Sequence, residues 1–136
     1  MDCIFCKIVA GQIPCVKIHE DAETLAFMDI NPLTTGHLLV VPKRHAANLF
    51  DADEALVASV ARAATRIAKS LRRSLGIDAL NVLQASGAAA FQSVAHLHFH
   101  LIPRRPEDKA GFDWKLLPGD MAELKRLGEK IKAGLG

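Results

Sequence analysis

Hydrophobic and polar positions follow two periods along this chain, and the switches between them mark its elements. Residues 16–19 and 24–29 read as strands joined by the polar turn Glu20-Asp21-Ala22. The breaker-rich loop Asn31-Pro32-Leu33-Thr34-Thr35-Gly36 leads into residues 37–41, a nearly continuous apolar strand stopped by Pro42. Such a run predicts burial on both faces. From Asp51 the period lengthens: Leu56, Val57, Val60, Ala63, Ala64, Ile67 and Leu71 make one apolar stripe along a long helix that Gly76 ends. Asp53 and Glu54 suit the positive end of that helix. Residues 79–83 form a further strand, followed by the small-residue loop Ala85-Ser86-Gly87-Ala88-Ala89-Ala90. Residues 95–101 alternate strictly and predict a strand. A helical turn over residues 4–9, closed by Gly11 and Pro14, lies near the N-terminus. An amphipathic helix using Met121, Leu124, Leu127 and Ile131 lies near the C-terminus. Hairpin-linked strands with segregated helices predict an α+β fold.

Composition narrows the picture only modestly. The 136 residues suit a single domain over 1–136, and the net charge of +2 argues for neither a nucleic-acid nor a membrane partner. Arg62, Arg66, Lys69, Arg72 and Arg73 read as the solvated face of the long helix. No basic leader precedes an apolar run, and no apolar stretch reaches a membrane span of about 18 residues, so the expectation is a cytoplasmic protein. Three cysteines, an odd number, argue against a disulfide framework, and Cys15 reads as a small buried apolar residue.

The chemistry concentrates in residues 95–101. His96, His98 and His100 stand at two-residue spacing, which on a strand puts all three imidazoles on one face with Leu97, Phe99 and Leu101 on the other. A single metal shared by all three is disfavoured, because side chains four residues apart on a strand sit roughly 13 Å apart. The row therefore divides its labour. Cys3, Cys6, His45 and His96 supply two thiolates and two imidazoles, a tetrahedral structural zinc set. His98 and His100 face the small-residue loop, whose backbone amides can cradle an anion. His98 is then the candidate nucleophile toward phosphorus, with His100 stabilising the negative oxygens.

The segment Gln92-Ser93-Val94-Ala95-His96-Leu97-His98-Phe99-His100-Leu101-Ile102-Pro103-Arg104 resembles the signature of the histidine triad nucleotide-binding family. Cys3-Ile4-Phe5-Cys6-Lys7-Ile8 with Gly11-Gln12-Ile13-Pro14 is similar to the N-terminal element of its bacterial members. Phe27-Met28-Asp29-Ile30-Asn31-Pro32 and Gly36-His37-Leu38-Leu39-Val40-Val41-Pro42-Lys43-Arg44-His45 resemble the next two blocks. The resemblance implies a five-stranded antiparallel sheet with one long helix and short terminal helices, paired into a homodimer with a larger sheet. It implies a purine nucleotide or nucleoside phosphoramidate as substrate, cleaved at the α-phosphate with His98 as nucleophile. His100 and His37 would assist at the phosphate, and Ser93 at the leaving group beside Gln92. Asp29 would bind the ribose hydroxyls, and Ile4, Phe5, Ile8, Phe27 and Ile30 would form the base pocket. Members with the Cys-x-x-Cys element hold a structural zinc at the positions matching Cys3, Cys6, His45 and His96.

Histidine at position 100, where the transferases of the superfamily carry glutamine, favours hydrolysis. A diadenosine-polyphosphate hydrolase, a nucleotide-binding interaction protein with weakened catalysis and a zinc-stabilised structural domain are the other readings. Two residues depart from the family pattern. Ala85 stands where a polar side chain commonly contacts the phosphate, and Phe91 stands where glycine is usual. A bulky residue adopts positive φ reluctantly, so the loop from 85 to 91 is expected to take a different path and to slow catalysis. Residues 107–117, including Trp114, fall outside the matching blocks.

Overall fold

The computed structural model describes residues 2–112 and 115–136; Trp114 lies outside them. Helix α1 spans Ile4–Val9, strand β1 Lys17–Glu20, β2 Thr24–Met28 and β3 Leu38–Pro42. Helix α2 (Glu54–Leu75), strands β4 (Ala79–Leu83) and β5 (Phe99–Arg104) and helix α3 (Met121–Ala133) follow. The strands form one sheet in the order β1-β2-β3-β5-β4, and every neighbouring pair is antiparallel. This is the α+β, five-stranded architecture that the sequence predicts.

Period-two alternation in β2 and β3 builds a core on each side of the sheet. Ala26, Leu38, Val40 and Leu101 pack against Val60, Ala63, Ala64, Ile67 and Leu71 of α2. Leu25, Phe27, Leu39 and Val41 point the other way, onto Cys3 and Phe5 of the α1 region. Fully burying each large aliphatic of α2 contributes about 1.5–3 kcal/mol. Cys15 is only half-buried, at the margin of the α1-side core.

Helix α2 begins three residues later than Asp51. Asp53 is its N-cap, accepting the Leu56 N–H at 2.7 Å, worth about 1 kcal/mol. Asp51 instead accepts the N–H groups of Ala47 and Asn48 at 3.0 and 2.9 Å, tying down the segment that follows His45. Gly76 closes the helix with φ of 64°, a left-handed conformation that suits glycine.

The histidine strand is shorter than the alternation predicts. Residues 96–98 precede β5, which starts at Phe99. Leu39 pairs with His100 and Val40 with Phe99, after which the ladder stops. The Leu97 N–H is taken by the Ala46 carbonyl at 2.7 Å, and the His96 carbonyl by the His98 ring. Those groups are then spent outside the ladder, and the backbone leaves the sheet. Helix α3 forms as predicted, but none of its residues is buried, and Met121, Leu124, Leu127 and Ile131 face outward. Among the described residues, no helix is long and apolar enough to cross a membrane.

Candidate active site and metal centre

The departure of residues 96–98 from the ladder separates the three histidines into two adjoining sites. His96 turns toward α1 and the segment after β3. Its Nδ1 lies 3.4 Å from Cys3 Sγ, 3.5 Å from Cys6 Sγ and 3.1 Å from His45 Nδ1, while Cys6 Sγ lies 3.4 Å from that same His45 atom. A tetrahedral zinc ion with bonds of about 2.0–2.1 Å to nitrogen and about 2.3 Å to sulfur has edges of about 3.3 Å between nitrogens and about 3.6 Å between nitrogen and sulfur. Four of the six edges therefore lie close to those of such a tetrahedron, and all four donor atoms lie within 4.8 Å of one another. His96 Nε2–H donates to the Pro42 carbonyl at 2.8 Å, which leaves Nδ1 bare for an ion. Burial raises the Cys6 thiol above its ordinary pKa, and the Cys3 thiol beside it adds to the effect. A cation between the two sulfurs removes that conflict. These residues could hold a metal.

The second site joins Asp29, His37, His98 and His100. Each proton position follows from a neighbour. His98 is buried, and its Nδ1–H donates to the His96 carbonyl at 2.7 Å, so Nε2 carries the free lone pair. The Leu33 N–H donates to His37 Nδ1 at 2.9 Å, which puts the His37 proton on Nε2. That Nε2–H donates to His100 Nδ1 at 2.9 Å, and the His100 proton is thereby left on Nε2. The His98 and His100 rings lie 4.9 Å apart between centroids. A bare nitrogen and an N–H donor thus stand side by side.

Electrostatics keep these rings neutral. Burial lowers the pKa of His37 and His98, opposed by the Asp29 carboxylate and, at His98, by the His96 carbonyl. Burial, with His98 and His37 close by, pushes His100 down to about 4. Asp29 Oδ2 lies 3.5 Å from His37 Nε2, and Asp29 Oδ1 accepts the Asn31 N–H at 2.8 Å. The donor atoms of Asp29, His37 and His100 also lie within 4.8 Å of one another. Because the Leu33 amide fixes a proton on His37 Nε2, this group is a hydrogen-bond relay, unlike the cysteine cluster.

Residues expected around the base and leaving group fall in several surroundings. Phe5 and Phe27 are buried and meet edge to face at 5.5 Å, with Ile8 partly buried in the same core. Ile4 is half-exposed, and Ile30 is almost fully exposed. Ser93 lines a groove of about 430 Å³ with Ile4, Cys3 and His45. Gln92 spends its whole side-chain amide on the protein. Its Nε2 donates to the Ala47 and Val94 carbonyls at 2.6 and 3.0 Å, and Oε1 accepts from Gly87 N–H at 2.8 Å and Asn48 Nδ2 at 3.2 Å. Phe91 does adopt the left-handed conformation, with φ of 63°, and its ring is 92% exposed. Its bulk is accommodated by pointing into solvent. Sequence reasoning missed the Leu33 amide, the Pro42 carbonyl and Asn48. No residue pattern announces a backbone group as a tautomer lock, and Asn48 meets Gln92 only through the fold.

Residues 10–107 match the HIT domain. The chain is 43% identical over 134 residues to the adenosine 5'-monophosphoramidase hnt1 of Schizosaccharomyces pombe, covering 98% of both chains. It superposes on the crystal structure of a HIT-family protein from Bacillus subtilis with a TM-score of 0.94 at 38% identity, covering 100% of this chain and 99% of that one. A Zn-bound histidine triad family protein from Mycobacterium smegmatis matches with a TM-score of 0.78 at 40% identity, covering 98% of each chain. With the fold, the ordered histidines and these matches in agreement, the chain belongs to the HIT, or histidine triad, family.

Proposed function

We propose that this protein is a nucleotide hydrolase that cleaves purine nucleoside phosphoramidates, or related phosphoanhydrides, at the α-phosphate. The observation that carries the reading is the Nδ1–H bond from His98 to the His96 carbonyl, which leaves a buried, neutral Nε2 free to attack. The whole-length relative named as an adenosine 5'-monophosphoramidase supports both the activity and the substrate class. In the first step His98 Nε2 bonds to the α-phosphorus as the bond to the amine breaks, and the amine leaves neutral with a proton drawn from solvent through the Ser93 hydroxyl. The His100 Nε2–H donates to a non-bridging oxygen as charge gathers there, and the His37 relay holds that donor in place. Water then attacks the phosphorus and gives up its proton to solvent as the His98–phosphorus bond breaks, so nucleoside monophosphate leaves with His98 restored to its neutral Nδ1–H form. Splitting the displacement in two lowers each barrier.

Ser93 serves the leaving group, and Gln92 holds the loop beside it. Asp29 binds the ribose hydroxyls, and Ile4, Ile8, Phe27 and Ile30 surround the base with Phe5 beneath it. Cys3, Cys6, His45 and His96 hold a zinc ion, whose chemistry when bound is structural: it cross-links α1 to the segments after β3 and before β5. Wild-type protein that carries no metal as purified and binds no zinc when it is supplied would contradict that assignment. The chain acts as a homodimer. The test of the activity is turnover of adenosine 5'-phosphoramidate by wild type and His98→Ala. Loss of turnover in the variant is expected, and equal rates would overturn the proposal.

A further inference from the structure

Phe5 stands between the metal centre and the nucleophile, and its contacts give it a role beyond a base pocket. It lies in α1 between Cys3, the N-cap, and Cys6, and only 6% of it is exposed. Its ring meets the His98 ring edge to face, with centroids 5.2 Å apart at 88°, and the His96 ring at 5.8 Å and 75°. Phe27 buttresses it from behind at 5.5 Å. An imidazole held by one hydrogen bond can still rotate about that bond. A near-perpendicular aromatic contact removes the rotation, because turning the ring forfeits the edge-to-face packing.

The partners of that arrangement converge on the metal cluster. Cys3 and Cys6 flank Phe5 in sequence and fix the turn of helix that carries it. A second restraint on His98 is the carbonyl of His96, itself a member of the same four-residue cluster. Two restraints on the nucleophile, packing from Phe5 and its own hydrogen bond to the His96 carbonyl, are thus attached to one centre, while the His100 ring meets it separately at 4.9 Å.

We infer that Phe5 is a positioning residue that holds His98 with Nε2 facing the substrate, and that the Cys3, Cys6, His45 and His96 centre anchors it there. Its kinetic consequence rests on the proposed hydrolysis, whereas its structural consequence does not. When α1 is released from the centre, the ring loses its fixed plane. His98 then samples the other tautomer and other rotamers while the sheet stays folded.

The experiment compares zinc-loaded wild type, the same protein after zinc is removed with a chelator, and zinc-loaded Phe5→Leu, which keeps an apolar side chain in the core. Imidazole nitrogen NMR at pH 8 reads the His98 tautomer directly, and zinc content is measured on each sample. Zinc-loaded wild type is expected to give a single Nδ1–H form. Chelated protein and Phe5→Leu are expected to give mixed tautomers, with Phe5→Leu retaining its zinc. On adenosine 5'-phosphoramidate, kcat is expected to fall about tenfold or more while KM changes little, as for loss of orientation. An unchanged single tautomer in Phe5→Leu overturns the inference, whatever the metal-free protein does. So does a raised KM with kcat intact, which assigns Phe5 to base binding alone. Absence of turnover in wild type counts against the proposed hydrolysis and leaves the tautomer comparison to decide the role of Phe5.

Discussion

An imidazole attacks through whichever nitrogen lacks the proton, and at His98 a carbonyl two residues back makes that choice. A second lock, the Leu33 amide on His37, sets the direction of the His37–His100 bond. Burial that keeps these rings neutral also makes them sensitive to acid. His37, His98 and His100 have lowered values in the fold, His100 reaching about 4, whereas the unfolded chain protonates near 6.5. In the window between 6.5 and about 4 the unfolded state binds more protons, so stability present above 6.5 is lost as pH falls. The urea midpoint is expected to drop on acidification through that window, and a midpoint that rises there contradicts the burial argument. Ala85 is the other residue with a consequence. Its methyl group cannot donate to a phosphate, and a hydrogen bond to a charged group contributes about 1.5–3 kcal/mol. Ala85→Asn is therefore expected to raise kcat/KM by about ten- to a hundredfold, measured on the phosphoramidate, and an unchanged rate removes Ala85 as a cause of slow turnover.

At the scale of elements, the loop from 84 to 92 is held chiefly by side chains. Gln92 ties Gly87 to Ala47 and Asn48, while Ser86 Oγ accepts the Leu49 N–H at 3.0 Å. Removing the amide with Gln92→Ala strands partly buried groups and is expected to cost about 1–3 kcal/mol in denaturant unfolding. A cost near zero would mean that the loop is held by other contacts. The same elements explain what sequence patterning could and could not deliver. Strand β4 was legible to the residue, and α2 nearly so, because periodicity and a glycine stop act locally. The start of β5 was not. Alternation continues through residues 96–98, yet the Ala46 carbonyl, fifty residues away, takes the Leu97 N–H and ends the ladder. The convergence of Cys3, Cys6, His45 and His96 was legible because thiolates and imidazoles are few and their chemistry is narrow. The part played by Phe5 was not, since an aromatic residue in an apolar turn reads the same whether it packs on leucine or on a nucleophile.

Over the whole molecule, the sheet separates a packing side from a chemical side. Helix α2 covers one face, whereas α1, the Cys3, Cys6, His45 and His96 cluster and the rings of His98 and His100 gather on the other. Among the described residues, the edge strands β1 and β4 leave Ile18, Val82 and Leu83 exposed, and the apolar face of α3 is uncovered. Edge strands of this kind are commonly paired or covered, and a homodimer would do so here. Sedimentation at twice the mass of one chain is expected, and a single-chain mass at micromolar concentration contradicts the dimer. The proposed chemistry turns on one atom, His98 Nε2, and trapping what bonds to it provides the test. Wild type mixed with adenosine 5'-phosphoramidate is quenched in alkali, where a phosphorus–histidine bond survives, and the intact protein and its peptides are weighed. The account expects a nucleotidyl adduct on the peptide carrying His98, absent from His98→Ala. Full turnover in His98→Ala, or an adduct on any other residue, would contradict it.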